Sequence, residues 1–186
     1  MKNNAHMEEK EKRLKRFQDG RPIEIIETLI QSIPNFFNNE IRLVTQNGNY
    51  QTSLMFMGVH AVALTVSDGL FGETGSKGYK LFLERFMDGD TPDTKFSTIA
   101  DLIHKWRNVV AHQWIGSIGH SIGYDYDMAL GWEKRGEVTF INPRIYCEHY
   151  LKAFGPGGRI YRYSEMMTPE QLEAAHERLL KKYIEN

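Results

Sequence analysis

The stretch KWRNVVAHQW, residues 105–114, brings an arginine, an asparagine and a histidine together in a segment with helical periodicity. Arg107 precedes His112 by five positions, and Asn108 follows the arginine directly. Histidine exchanges a proton near neutral pH, and an arginine side chain pairs bidentately with phosphate oxygens. Together these residue types could bind an anionic ester and move a proton to or from it.

The helix that must position these residues is predicted over KFSTIADLIHKWRNVVAHQWIG, residues 95–116. At about 100° per residue, its apolar side chains form one stripe centred on Trp106. The stripe contains Ile99, Leu102, Ile103, Val109, Val110 and Trp114. Arg107, Asn108 and His112 fall on the opposite face, together with His104. We expect that face to meet water or a partner molecule, and a merely solvated face is the alternative.

The same spacing occurs a second time, from Arg144 to His149 in RIYCEH, so spacing alone is weak evidence for a site. Arg144 follows Pro143, which is typical of the first turn of a helix. It is followed by Ile145, where the first motif has a polar residue. We interpret this second pair as structural.

The segment RNVVAH resembles the signature of the HEPN superfamily, in which an arginine and a polar residue precede a histidine by four to six intervening residues. Asn108 occupies the polar position, and the motif lies late in an amphipathic helix of a mainly helical chain. The motif covers residues 107–112, and a similar helical organisation extends over residues 22–154. The resemblance implies an antiparallel helical bundle that forms homodimers.

Many HEPN proteins are metal-independent ribonucleases, so the resemblance also implies RNA as the substrate. Each subunit would place its helix in a shared cleft, where two copies of His112 supply the base and the acid for attack by the 2′-oxygen. Arg107 would stabilise charge on the phosphate, and Asn108 would orient the phosphate or the imidazole. The products would carry a 2′,3′-cyclic phosphate and a 5′-hydroxyl. No cofactor is implied, and the sequence has no HEXXH motif and no cysteine pair for a metal.

Three further residues are candidates for substrate binding. His104 shares the polar face, Trp114 could stack on a base, and His120 follows the helix exit and could reach the mouth of the cleft. Core packing is the alternative for Trp114, and an incidental loop position is the alternative for His120. His60 lies in the most apolar segment, and we interpret it as a core histidine.

Some HEPN proteins are toxins whose nucleotidyltransferase antitoxin modifies a tyrosine two residues after the histidine. Trp114 occupies that position here, which departs from the pattern. The leading hypothesis is an endoribonuclease, with a role in defence or a toxin–antitoxin pair as one setting. The alternatives are a non-catalytic HEPN-like module that dimerises or binds nucleic acid or nucleotide, and a helical interaction protein with a solvated face.

Composition limits the classes of protein that remain. The formal net charge of -1 argues against broad electrostatic binding of nucleic acid, so any contact with RNA should be local. The single cysteine, Cys147, excludes an intrachain disulfide and suits a reducing compartment. The charged N-terminus lacks a signal peptide pattern, and no stretch approaches about 18 consecutive apolar residues. We therefore expect a cytoplasmic protein without a membrane span.

The chain is predicted to be mainly α, a HEPN-like antiparallel helical bundle with a β-hairpin inserted or appended near residues 122–142. Residues 1–21 form a charged arm or helix with seven basic and four acidic side chains, a solvated helix or, alternatively, a phosphate-binding arm. Residues 22–186 form one domain that includes the hairpin and the C-terminal helix.

Sequence signals place the other elements. Helices are predicted from Pro22 to a break at Pro34, over residues 50–72, from Pro143 to Phe154, and after a capping signal at Thr168. GETGSKG, residues 72–78, fails the phosphate-loop pattern and is predicted to be a flexible connector. The hairpin is predicted from alternation over residues 124–130, a turn at EKRG and a strand at EVTFI.

Overall fold

A computed structural model describes residues 8, 11–12, 15–38, 41, 52–113 and 122–183, and only the backbone of Phe36, residues 111–113 and Tyr183. Its α-helices, in chain order, are α1 (Pro22–Ile33), α2 (Thr52–Phe71), α3 (Gly75–Phe82), α4 (Ala100–Gln113), α5 (Pro143–Ala153) and α6 (Pro169–Tyr183). Its strands are β1 (Ile122–Tyr124), β2 (Trp132–Arg135) and β3 (Val138–Ile141). The prediction of a mainly helical chain is confirmed.

Helix α1 begins and changes form at its two prolines. Pro22 occupies its first turn, and the α-helix ends at Ile33, after which Pro34–Asn38 continues as a π-helix. Proline lacks the N–H that an α-helical ladder needs, so the change at Pro34 agrees with the predicted break. Ile25, Ile26, Ile30 and Ile33 are buried along one face.

Helix α2 is the central element of the bundle, packed against α1, α3, α4 and α6. It is also long and apolar enough to cross a membrane, with a mean hydropathy of 1.6, and half of that window is buried. The segment is not a run of consecutive apolar residues, since it contains His60 and Asp68, but it meets the test of length and mean hydropathy. Its packing on four helices places it in the core of the described structure, and a cytoplasmic location remains a prediction.

The glycine-rich segment before α3 is not the predicted flexible connector. Gly75 adopts φ +59 and begins α3, so GSKG forms its first turn. A side chain at Gly78 would collide with the Glu73 carbonyl group, and the Ser67 hydroxyl of α2 donates to the Gly78 carbonyl at 2.7 Å. Glycine is required here because the Glu73 carbonyl group, in the turn before α3, lies against the Gly78 backbone.

The strands form one sheet in the order β1-β3-β2. Strands β2 and β3 make an antiparallel hairpin with Trp132 opposite Ile141, and Gly136 in the turn adopts φ +62. The predicted hairpin exists, but its first strand is residues 132–135, so most of EKRG is strand. Strand β1 pairs with β3 in parallel, which the sequence did not predict.

Local hydrogen bonds explain why residues 125–131 do not continue the strand. The Asp125 carboxylate accepts the backbone N–H groups of Asp127 and Met128, both at 3.1 Å, and turns the chain. The Asn142 side chain donates to the Met128 carbonyl at 2.6 Å. Asparagine and aspartate side chains that bond the backbone compete with a ladder in this way. The alternation in this segment reflects burial of Met128, not strand pairing.

The C-terminal helices begin as predicted. The Asn142 side chain accepts the N–H groups of Arg144 and Ile145 and caps α5. Before α6, Thr168 and Gln171 exchange side chain–backbone hydrogen bonds of 2.8 and 3.3 Å, which is the capping box. In the predicted N-terminal arm, residues 15–19 are helical, and the Phe17 carbonyl bonds to His176 Nε2 of α6 at 2.9 Å.

Candidate functional site

Helix α4 carries the candidate site, and its packing sets the direction of each side chain. Ile99, before its first turn, and Ile103, Trp106 and Val110 are buried, which confirms the centre of the predicted apolar stripe. The Trp106 ring makes edge contacts with Phe56 of α2 and Tyr124 of β1 at centroid distances of 5.9 and 5.7 Å. These contacts from two sides hold α4 at one rotation about its axis.

The entry to α4 is held by a carboxylate. Asp88 accepts a hydrogen bond from the Ser97 backbone N–H at 2.9 Å and another from the Ser97 hydroxyl. This satisfies donors of the 3-10 turn Phe96–Ile99 that leads into α4. Asp88, the first acidic residue of the loop DGDTPD, is thus engaged in loop structure.

Arg107 and Asn108 form a pair on the predicted polar face. Arg107 Nη1 donates to Asn108 Oδ1 at 3.0 Å, and both residues are half-buried. The Nε atom of Arg107 is buried and has no hydrogen-bond partner within the part of the chain that the structure describes. A buried N–H without an acceptor is costly, so this arginine differs from an ordinary solvated one.

The helical projection placed His104 on a free outer surface. In the structure, this surface is not free. Nδ1 of His104 lies 2.8 Å from Nε2 of His60, which projects from α2. The His60 ring is completely buried and lies against the Tyr79 ring at a centroid distance of 4.5 Å. The polar face of α4 is therefore covered in part by α2, because α4 packs on α2 and α3 as well as on the sheet.

Burial and charge both disfavour protonation of this histidine pair. Loss of solvation lowers the pKa of His60 to about 3, with the charges of Arg107 and His104 adding to the effect. The pKa of His104 is lowered by its partial burial and then by Arg107, while Asp101 acts in the opposite direction. Both rings are neutral at physiological pH.

The structure brings Arg107, Asn108 and His104 together, and it places His112 on the same helix. The backbone of His112 belongs to α4, about 7.5 Å along the axis from Arg107 at the usual rise per residue. Its side chain lies outside the described part of the structure, as do Trp114 and His120 altogether. The predicted roles of these three residues stay predictions.

The second arginine–histidine pair has structural partners. The Arg144 guanidinium lies 5.7 Å from the centre of the Tyr126 ring, and Nδ1 of His149 bonds to the Met87 carbonyl at 2.7 Å. Arg159 donates to the neighbouring Asp88 carbonyl at 2.7 Å. Both carbonyls lie at the end of the π-helix Leu83–Met87, where such donors satisfy exposed acceptors. The structural interpretation of Arg144 and His149 agrees with these contacts.

The sequence did not reveal that His60 is important to the site. Its interpretation as a core histidine is right about burial, but only Nε2 is bonded, and Nδ1 has no partner among the described residues. A polar ring in an otherwise apolar stretch of α2 was the available signal. Its link to His104 needed the packing of α2 on α4.

Among the described residues, no three histidine, cysteine, aspartate or glutamate side chains converge to hold a metal ion. No protein-family model, curated protein or solved structure matches this chain.

Proposed function

We propose that this chain is a metal-independent endoribonuclease that resembles HEPN proteins, with its active site built on α4. The observation that supports the proposal is the environment of Arg107. Its guanidinium is half-buried and linked to Asn108, and its buried Nε has no acceptor among the residues that the structure describes. Guanidinium groups held in this way are suited to phosphate, which offers several strong acceptor oxygens.

The reaction would need one base and one acid. One His112 imidazole takes the proton of the ribose 2′-hydroxyl, and the 2′-oxygen attacks the adjacent phosphorus. The bond from phosphorus to the 5′-oxygen breaks, and that oxygen takes a proton from His112 of the partner subunit. Arg107 would stabilise the charge that builds on the non-bridging oxygens. The products are a 2′,3′-cyclic phosphate and a 5′-hydroxyl.

A homodimer with a HEPN-like arrangement of its helices belongs to this proposal, because one histidine cannot easily act as base and acid in the same step. The net charge of -1 fits a local contact between RNA and the arginine helix better than binding along an extended basic surface. The non-catalytic module remains the alternative, and it predicts RNA or nucleotide binding without cleavage.

The test is cleavage of RNA by the purified protein in EDTA at neutral pH, followed by analysis of the product ends. Wild type is compared with His112→Ala and with the matched control His149→Ala from the second motif. We expect cyclic phosphate ends from wild type and from the control, and loss of cleavage by at least about 100-fold in a folded His112→Ala variant. No cleavage by wild type, or equal cleavage by His112→Ala, would falsify the ribonuclease proposal and favour the binding module.

A further inference from the structure

Two histidines from different helices share a single hydrogen bond. Nε2 of His60 on α2 and Nδ1 of His104 on α4 are 2.8 Å apart, so only one proton lies between them. Two arrangements of the neutral pair satisfy this distance. Either His60 carries its proton on Nε2 and donates to His104, or His104 carries its proton on Nδ1 and donates to His60.

Burial distinguishes the two arrangements. If His104 donated, His60 would carry its own proton on Nδ1, which is buried and has no hydrogen-bond partner among the described residues. Unpaired buried N–H groups are rare in proteins, and unpaired acceptors are tolerated more readily. The first arrangement leaves only a lone pair at His60 Nδ1. His60 is therefore the donor, and His104 is the acceptor.

The consequence appears on the other edge of the His104 ring. A neutral imidazole that accepts at Nδ1 carries its proton on Nε2, which faces away from His60. Arg107 lies three residues further along α4, on the neighbouring position of the same helix surface, and its charge lowers the pKa of both rings. Asp101, the acid nearest His104, accepts a hydrogen bond from Ser76.

We propose that His60 is a positioning residue that keeps His104 neutral with its proton on Nε2, so that His104 and Arg107 together donate to one phosphodiester group of RNA. The identity of the ligand rests on the proposed function, whereas the tautomer rests on the contacts of His60 alone. His104 is then a neutral donor to the substrate and not a second acid or base.

The groups that face His60 and His104 oppose protonation of His104 as the pH falls. A proton added to His104 Nδ1 would force the His60 proton onto the buried Nδ1, where it finds no acceptor. Arg107 opposes the added charge, Tyr79 of α3 covers the His60 ring, and the exposed Lys105 adds a further positive charge on α4. Only Asp101 favours protonation of His104.

The first measurement is nitrogen-15 NMR of the imidazole rings in the full chain, with assignments from His60→Leu and His104→Gln. We expect both rings to carry their proton on Nε2 and to be neutral at pH 7, with His104 protonated only below the ordinary histidine range. In His60→Leu, the His104 ring should become a mixture of tautomers and titrate at higher pH. A proton on Nδ1 of His104 in wild type would overturn the proposal, whether or not the protein cleaves RNA.

The second measurement is binding of an oligoribonucleotide with 2′-O-methyl groups, which attack by the 2′-oxygen cannot cleave. We expect it to shift the His104 Nε2 resonance, and we expect His60→Leu to weaken binding about three- to tenfold, the range of one neutral hydrogen bond. His60→Gln, whose amide can still donate to His104, should recover most of the affinity. His176→Gln, a buried histidine in α6, serves as the control and should bind as wild type does.

Equal affinity for wild type and His60→Leu, or no response of His104 at saturation, would overturn the proposal. Binding that depends on His60 as expected, without cleavage of unmodified RNA by wild type, would support this inference and refute the ribonuclease proposal. The two ideas are thus separable.

Discussion

The chain contains the same arginine–histidine spacing on two helices, and the two sites differ in what their polar atoms contact. On α5, Arg144 lies against the Tyr126 ring and His149 bonds to a backbone carbonyl. On α4, Arg107 keeps a buried Nε without a partner among the described residues. On α5 both side chains have partners, whereas on α4 one buried donor of Arg107 has none among the described residues.

This contrast teaches that unsatisfied hydrogen-bonding capacity, and not spacing, separates the two motifs. Buried polar groups in folded proteins are nearly always paired, so an exception calls for an explanation. The proposed function would supply the missing acceptor on α4 as a phosphate oxygen of RNA. The following changes test the comparison, from the largest expected effect to the smallest.

Replacing the two arginines in turn gives the strongest test. We expect Arg107→Ala to lower kcat/KM for RNA cleavage by about 100- to 1,000-fold, the range seen when one donor to a transition state is removed. Arg144→Ala should change kcat/KM by less than about threefold, because its guanidinium has no part in the site. Equal losses in the two variants would mean that the two motifs do not differ in function.

Replacement of Asn142 should lower stability but not activity, and replacement of Asn108 should lower activity but hardly change stability. Asn142 is 3% exposed, caps α5 and bonds to the Met128 carbonyl, so Asn142→Ala should lower the free energy of unfolding by about 2–3 kcal/mol. Its specific activity, measured below the melting temperature, should be unchanged. Asn108→Ala should instead lower kcat/KM about tenfold at nearly unchanged stability, because it frees the Arg107 guanidinium. Urea denaturation and steady-state cleavage assays measure the two quantities.

His60 should make the chain sensitive to acid. Its pKa of about 3 in the folded chain is below the ordinary value of 6.5, so the unfolded chain binds more protons between these two values. Stability is therefore fully present above pH 6.5 and is lost as the pH falls, by about 2 kcal/mol at pH 5. Urea denaturation at pH 7 and pH 5 measures this loss. The loss of stability between pH 7 and pH 5 should be smaller in His60→Leu than in wild type, and His149→Gln should lose as much as wild type. An identical loss in all three proteins would contradict the assignment of the loss to His60.

The contact between Arg144 and Tyr126 should have the smallest effect. Arg144 is exposed, and a cation over an exposed aromatic ring contributes about 0.5–1 kcal/mol. Arg144→Ala should therefore lower the free energy of unfolding by no more than about 1 kcal/mol. A loss comparable to that of Asn142→Ala would show that the second motif has a larger structural role than its contacts indicate.

Much of the helical structure could be predicted because its signals are local. The break at Pro34, the start of α5 at Pro143 and the capping box at Thr168 depend on neighbouring backbone groups. The buried stripe around Trp106 follows from the helical period. The segment GSKG is the first turn of α3 and not a flexible connector, and Gly78 is required there by the Glu73 carbonyl group.

The sheet and the site needed information from distant residues. Strand β1 pairs in parallel with β3, with Ile122 opposite Thr139, and no local pattern specifies that partner. The hairpin position was misjudged because Asp125 and Asn142 hold the alternating segment by side-chain hydrogen bonds.

The sequence by itself determined which residues of α4 share a face, because an α-helix repeats with a fixed angle per residue. Only the tertiary structure decided which of those residues remain available. It buried His60 against His104 and left Nε of Arg107 without an acceptor in the described part of the chain, since both outcomes depend on how α2 and α4 pack. Hydrogen-bond satisfaction is a property of three-dimensional neighbours, and two identical spacings in one chain can therefore differ in what they do.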